Sequence, residues 1–326
     1  DALSSHLERI RSILPNLRVP ILGTGTGTVQ SLQKIALSAQ TIIEYAKEIS
    51  SVLPGAMGQT VPKRYLLLFQ NHHELRPTGG FIGSFAVVEI DKGAVVKWSL
   101  PGGGSYDLQG QFTAQLASPR PLRLINPRFE FQDMNWFPDF PTSAKKLVDT
   151  YEKSAGDTVD GVVAVTGRIM ENLLSILGPI EVPDSGKIVT SENFMELTQS
   201  AVEVEYDKVA NRPKAFLQDL FDALSVKLVS MSQEEKIRVL MSALQGLAKK
   251  DLQIFSRDGR VAEALDALDW TGKLKDAPSD YLLLVSSNIG GGKTDGAIDQ
   301  HIDKTTRIRA DGTLSSTVRI TLAHRG

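Results

Sequence analysis

Arg64-Tyr-Leu-Leu-Leu-Phe-Gln-Asn71 leads into His72-His-Glu-Leu-Arg-Pro-Thr-Gly-Gly80 and then Phe81-Ile-Gly-Ser-Phe-Ala-Val-Val-Glu-Ile90, and the reading of this stretch decides the fold. The short apolar run from Tyr65 to Phe69 has the pattern of an inner strand covered on both faces, as in a sheet flanked by helices. The nine residues from His72 to Gly80 are rich in hydrogen-bonding groups, among them Asn71 just before, Glu74 and Thr78. They carry one guanidinium, Arg76, and end in Gly79-Gly80, where the backbone can bend close to a ligand. Residues 81–90 and 94–100 are strand-forming runs joined by Asp91-Lys92-Gly93, a hairpin signal. The polar loop is therefore expected between two neighbouring strands, a good place for a site.

Outward from this stretch, composition sets the bounds. A chain of 326 residues with 41% hydrophobic and 23% charged residues has ample material for a core, organised as one large domain with an appendage. The formal net charge of -2 gives no basic field, which argues against nonspecific nucleic-acid binding. Cysteine is absent, so disulfides, thiol catalysis and thiolate metal sites are excluded together. That absence suits a reducing compartment, and equally an exported protein of a bacterium whose envelope chains avoid cysteine. No stretch approaches the roughly 20 apolar residues of a membrane helix. The first residue is Asp1, and a removed signal or N-terminal membrane anchor is the expectation.

Along the chain, apolar positions at helical spacing over 3–14 and 28–52 predict a helical hairpin, broken by Gly23-Thr-Gly-Thr-Gly27, which reads as a linker because no Lys-Ser/Thr follows. Residues 1–60 are taken as a membrane-proximal stalk, 61–278 as an α/β domain and 279–326 as a β-rich segment. Leu100-Pro-Gly-Gly-Gly-Ser-Tyr-Asp107 is a second glycine-rich loop at a strand end. Residues 108–141 hold five prolines and read as long and irregular, anchored by the aromatic stretch 129–140. Helix is expected from Thr142, strand at 162–165, and helix over 167–177 closed by Gly178-Pro179. Further helices are expected from Thr190 or Ser191, from Pro213 through Leu228, over 232–248 and over 259–268, with a strand at 252–255. The end reads as strands at 281–285, 297–309 and 313–323, the last two joined at Asp311-Gly312. Strand, helix, strand, helix in this order imply an α/β sheet with crossover helices.

Several residue sets carry candidate chemistry. Arg76 with Gly79 and Gly80 could hold a phosphate or carboxylate; the plainer reading is an arginine in a turn. His72 and His73 could ligate a metal or act as a base, but adjacent side chains in an extended segment point in opposite directions. Asp107, Asp133 and Asp139 could supply a hard-cation site, with Asp139 equally suited to a helix start. Trp136 and Phe137 could stack on a sugar or isoprenoid chain, or anchor the irregular loop. Lys208, Arg212 and Lys214 are a basic cluster at a helix start, able with Arg76 to form a polyanion pocket. No Ser-His-Asp elbow, zinc motif or Walker loop is present.

The blocks 64–71 and Glu74-Leu-Arg-Pro-Thr-Gly-Gly-Phe-Ile-Gly83 resemble the signature of a bacterial family catalogued as domain of unknown function 4012. Asp133-Met-Asn-Trp-Phe-Pro-Asp-Phe-Pro141, Val159-Asp-Gly-Val162, Leu177-Gly-Pro-Ile180 and Asn288-Ile-Gly-Gly-Gly-Lys-Thr-Asp295 are similar to its later blocks. The layout also resembles the LytR-CpsA-Psr phosphotransferases, which attach lipid-linked glycopolymers to the cell wall. That resemblance implies an α/β/α sandwich with a mixed central sheet, preceded by the helical hairpin and followed by the β-rich segment. It implies an extracytoplasmic, membrane-anchored envelope protein.

Where those enzymes carry Arg-Thr-Asp or similar, supplying a metal-binding aspartate, this chain has Arg76-Pro-Thr-Gly-Gly80. Where they continue Pro-Arg-Asp, it has Pro101-Gly-Gly-Gly104. The expectation that follows is a protein that binds or transfers a polyprenyl-phosphate-linked glycan or cell-wall polymer. Arg76, Arg212 and Lys214 would hold the pyrophosphate and Asp107 or Asp133 would hold Mg2+. The alternative is a non-catalytic envelope scaffold or adhesion module that binds glycan or a partner protein.

Overall fold

The computed structural model describes residues 47–326 apart from 110, 113–115, 156, 184, 204–214 and 279. Of the expected N-terminal hairpin only a helix over 47–56 falls among them; its earlier part, with the basic cluster Lys208, Arg212 and Lys214, lies outside the described residues. The end of that helix is tied to the sheet. Tyr65 donates its hydroxyl to Ala56 O at 2.6 Å, and the turn residues Lys92 and Gly93 donate to Gly58 O and Met57 O.

The central sheet has five strands: β1 (Lys63–Asn71), β2 (Phe81–Asp91), β3 (Ala94–Ser99), β4 (Gly161–Thr166) and β7 (Leu252–Ser256), in the order β3-β2-β1-β4-β7. The strand read from Tyr65–Phe69 is thus the middle one. It pairs antiparallel with β2 and parallel with β4, while β3 and β7 close the two sides antiparallel. A parallel neighbour needs a long crossover. Here it consists of the irregular segment after β3 and α1 (Phe140–Ala155). The remaining helices are α2 (Gly167–Leu177), α3 (Phe194–Glu203), α4 (Ala215–Val229), α5 (Gln233–Lys249) and α6 (Gly259–Ala267).

Alternation along β1 sorts its side chains to two layers. Leu66 and Leu68 are fully buried in a core with Phe85, Phe131, Met134, Phe140, Leu147 and Val162. Leu67 and Phe69 point the other way and pack, partly buried, against Ala86, Leu100, Leu217 and Phe221. Helices therefore cover both faces of a mixed sheet, as the α/β/α expectation required. A third apolar cluster lies under α2 and α4: Met170, Leu174, Leu177, Val182, Leu220 and Leu224.

Several local expectations shift. Helix α1 starts at Phe140 rather than Thr142, because the Asp139 carboxylate accepts from the Thr142 amide at 3.1 Å and its hydroxyl at 2.6 Å. Residues 281–285 form no strand: the segment pairs with no neighbour, and Tyr281, Leu282, Leu283 and Val285 are exposed. The two-stranded unit β5 (Ile180–Val182) and β6 (Lys187–Val189) was not expected, three residues being too few to show a period. The C-terminal hairpin is as read, with β8 (Ile298–Ile308) and β9 (Leu314–His324) paired throughout around Gly312 at φ +83°.

Leu66 anchors the inner layer with no exposed surface. Leu66→Ala is expected to lower unfolding stability by about 2–5 kcal/mol in urea denaturation, without loss of the sheet's circular-dichroism signal. A loss below about 1 kcal/mol would mean that this layer is not the core.

Candidate binding cleft

Strand β1 ends at Asn71, and the chain turns through a loop held by its own backbone. Glu74 donates to Asn71 O, Gly79 to Arg76 O and Phe81 to Glu74 O, at 2.8–3.1 Å. Gly80 makes the closure possible, since a Cβ there would stand 2.2 Å from Asn71 O. Underneath, Gln70 and Asn135 donate to the Thr78 hydroxyl at 2.7 and 3.0 Å, and Gln253 donates to Thr78 O at 2.7 Å. Thr78, Gly79 and Gly80 are therefore the floor of the loop, and do not line the cleft above it.

The loop directs Glu74 and Arg76 to the other side, where the short 3-10 helix Phe131–Trp136 brings up Asp133. The Arg76 guanidinium is buried, its side chain 3% exposed. Its Nη2 lies 3.3 Å from Glu74 Oε1 and 3.6 Å from Asp133 Oδ1. Its Nη1 donates to Leu75 O at 3.2 Å and to Asn288 O. The Phe81 ring lies below, 5.0 Å from Cζ, and among the described residues Nε has no acceptor. Both carboxyls are pushed above the usual carboxylate range. Burial is the main cause and outweighs the downward pull of Arg76, to which Lys293 adds at Glu74.

The C-terminal segment completes the site. Asn288 donates its amide to Leu75 O at 2.9 Å, Leu75 donates to Asp295 Oδ2 at 2.7 Å, and Asp295 donates to His73 O at 3.1 Å. The Asn288 side chain bridges across to Asp295 Oδ2 at 3.0 Å and to Gly292 O. Residues 288–295 thus clasp the loop 73–76. Behind the clasp, His72 is buried against His73 and the start of α2, and burial, with Arg168 and His73 nearby, pushes its imidazole down to about 4. It stays neutral at ordinary pH, and among the described residues its Nδ1 has no partner.

The whole opens onto a cavity of about 740 Å3. Its lining from the β1 loop, the 3-10 turns and the C-terminal segment is Asn71, Glu74, Arg76, Tyr106, Gln132, Asp133 and Lys293; toward α2, α3 and α4 a mainly apolar arm holds Phe69, Val165, Met170, Phe194, Met195 and Leu217 together with the polar Thr166, Thr198 and Gln199. Of the residues expected from sequence, Asn71, Glu74, Arg76 and Asp133 meet here. Asp107 does not line the cleft: it is exposed and accepts from the Gly103 amide at 2.9 Å. Trp136 is part-buried against the core and anchors its loop. Gln132, Lys293 and the apolar arm went unassigned in the sequence. Lys293 is marked in the sequence by its place behind three glycines, inside the block Asn288–Asp295.

The donor set does not fit a resident Mg2+. Glu74 and Asp133 share one guanidinium, whose charge opposes a cation in the same place. Among the described residues no three His, Asp or Glu side chains converge as a metal site.

Residues 61–202 match the family described as "Protein of unknown function (DUF4012)", which bears out the resemblance over that part of the chain. No curated protein matches the sequence. Similar solved structures include B. subtilis TagV, at 13% identity and TM-score 0.36, covering 65% of this chain and 81% of that one. Another is protein gbs0355 from Streptococcus agalactiae, at 11% identity and TM-score 0.41, covering 67% and 75%. A third is the transcriptional regulator yvhJ from Bacillus subtilis, at 14% identity and TM-score 0.35, covering 68% and 85%.

A carboxyl with a raised folded pKa binds its proton more tightly in the folded than in the unfolded chain. Its stabilising contribution is therefore present at low pH and lost as pH rises through the folded value. Arg76→Met leaves both carboxylates buried without a cation, and near pH 7 is expected to cost about 3–5 kcal/mol. The loss should shrink near pH 5 as Glu74 and Asp133 take up protons, as read by urea denaturation at both values. An equal loss at both would show that charge balance is not what Arg76 supplies.

Proposed function

We propose that this chain, matched over residues 61–202 by the DUF4012 family, binds a phosphorylated lipid-linked glycan of the cell envelope in the cleft below the Arg76 loop. The observation that carries this reading is one cavity that joins the charged groups Glu74, Arg76, Asp133 and Lys293 to a mainly apolar arm formed toward α2, α3 and α4. An isoprenoid chain suits Phe69, Val165, Met170, Phe194, Met195 and Leu217, which would remove it from water at about 25 cal/mol per Å2. The phosphorylated head group then lies beside Gln132 and Lys293, with Glu74 and Asp133 suited to accept hydrogen bonds from sugar hydroxyls.

Transfer of the glycan is the catalytic extension of this reading. It would form a bond from the acceptor hydroxyl oxygen to the glycan-bearing phosphorus, break the diphosphate bond and release the lipid monophosphate; Asp133, with its pKa raised by burial, is suited to take the hydroxyl proton. The proposed setting is the extracytoplasmic side of the membrane, with a cell-wall polymer as acceptor. A chain of 326 residues without cysteine suits that setting. Among the described residues no helix is long and apolar enough to cross a membrane.

A second reading, a scaffold that docks a partner protein, is favoured by the C-terminal hairpin. Its pairing places Ile302, Ile308, Leu314, Val318, Ile320 and Leu322 on one face, and all six are exposed.

Thermal melting with geranylgeranyl diphosphate, beside the uncharged alcohol geranylgeraniol, separates the two. The cleft reading expects the diphosphate to stabilise the parent by about 2.7 kcal/mol at a hundred times Kd, the alcohol to do so less, and Met195→Glu in the apolar arm to abolish both effects. No shift in the parent, or the same shift in the variant, would remove the cleft reading and leave the scaffold.

A further inference from the structure

Arg76 is the residue that sequence places on the ligand phosphate, yet its hydrogen bonds are already committed. Nη2 faces Glu74 and Asp133, and Nη1 faces Leu75 O and Asn288 O. With both carboxylates ionised, this trio carries a net charge of -1, the wrong sign to attract an anion. The cation that alters this balance comes from the other end of the chain. Lys293 lines the same cleft, half-buried, and its charge acts on Glu74.

The loop that carries Lys293 is fixed at both ends. Asn288 and Asp295 clamp it to Leu75 and His73, Gly290 donates to Asn288 Oδ1 at 3.1 Å, and Ile289 packs on the main core. Between those clamps stand three glycines that packing does not require. A Cβ at Gly290 would approach nothing closer than 3.6 Å, at Gly292 nothing closer than 3.8 Å, and at Gly291 nothing within 4 Å. Only Gly291, at φ +75°, needs glycine for its backbone. The Gly290 amide is taken by Asn288, but Gly291 and Gly292 are exposed and without side chains next to a lysine, and Gly291 itself lines the cleft. Main-chain amides beside an ammonium are donors that phosphate oxygens take, with lysine supplying a point charge.

We propose that Gly290–Lys293 is an anion subsite for a phosphate or diphosphate group at the charged end of the cleft, with the Lys293 ammonium as its cation. Arg76 is then a positioning residue that holds the subsite in place through Asn288. This assignment rests on the cleft being a site for a phosphorylated ligand, and it names the group that meets the phosphate.

The test is calorimetric titration of the whole chain with inorganic diphosphate, for the parent, Lys293→Gln and Lys293→Arg, with melting temperatures to verify folding. Lys293→Gln is expected to weaken diphosphate binding about tenfold or more, and Lys293→Arg to remain within about threefold of the parent. Equal affinity in Lys293→Gln and parent, or no diphosphate binding by the parent, overturns the subsite. A parallel titration with geranylgeranyl diphosphate keeps the two ideas apart. Diphosphate binding that depends on Lys293, without any gain from the lipid, retains the subsite and removes the lipid reading. Lipid diphosphate binding that is the same in parent and Lys293→Gln does the reverse.

Discussion

A guanidinium taken out of water between two carboxylates is the constraint on which the rest of this structure depends. Neither Arg76 nor its partners could be buried alone, because an uncompensated charge in the interior costs several kcal/mol. Together they are tolerated only while three separate parts of the chain hold station: the loop after β1 for Glu74 and Arg76, the 3-10 turn for Asp133, and the clasp for Asn288 O. Burial pushes both carboxyls upward against the pull of Arg76. A group in that condition is sensitive to whatever charge enters beside it. That links the packing of the loop to the chemistry of the cleft.

The sheet explains why this centre stands next to an apolar arm. Strand β1 sends Leu66 and Leu68 into one layer and Leu67 and Phe69 into the other, so its polar end emerges where the two layers part. On the second side, Leu217 from α4 and Met170 from α2 approach Phe69 without filling the space between them. The result is a cavity lined by a mainly apolar set of residues toward α2–α4 and by the fixed charges of the loop and clasp. Amphiphiles are the ligands that such a division favours, because each part of the ligand finds its own environment.

Much of this was legible from local pattern. The inner strand, the hairpin at Lys92-Gly93, the helix stopped by Gly178-Pro179 and the C-terminal hairpin at Asp311-Gly312 are all short-range signals, written in periodicity and turn chemistry. So was the place of the loop holding Glu74 and Arg76, between two neighbouring strands. What local pattern could not show is who meets Arg76. Asp133 and Asn288 are remote in sequence, and nothing near either residue announces a guanidinium. The strand expected at 281–285 failed for the same reason, since strand propensity becomes a strand only when an edge is present to pair with. Asp107 was chosen for its charge and its neighbouring glycines, but its carboxylate is used locally on Gly103.

Hydrogen exchange by mass spectrometry on the parent and Arg76→Met tests most directly whether the buried guanidinium ties the clasp to the loop. The amides of Leu75, Asn288 and Asp295 donate the three bonds that close the clasp. If Arg76 holds it, these amides and the Gly290–Gly292 stretch should exchange faster in the variant, while those of β1 and β4 keep their protection. Unchanged exchange over 288–295, or a loss of protection spread evenly over the sheet, would contradict the role given to Arg76.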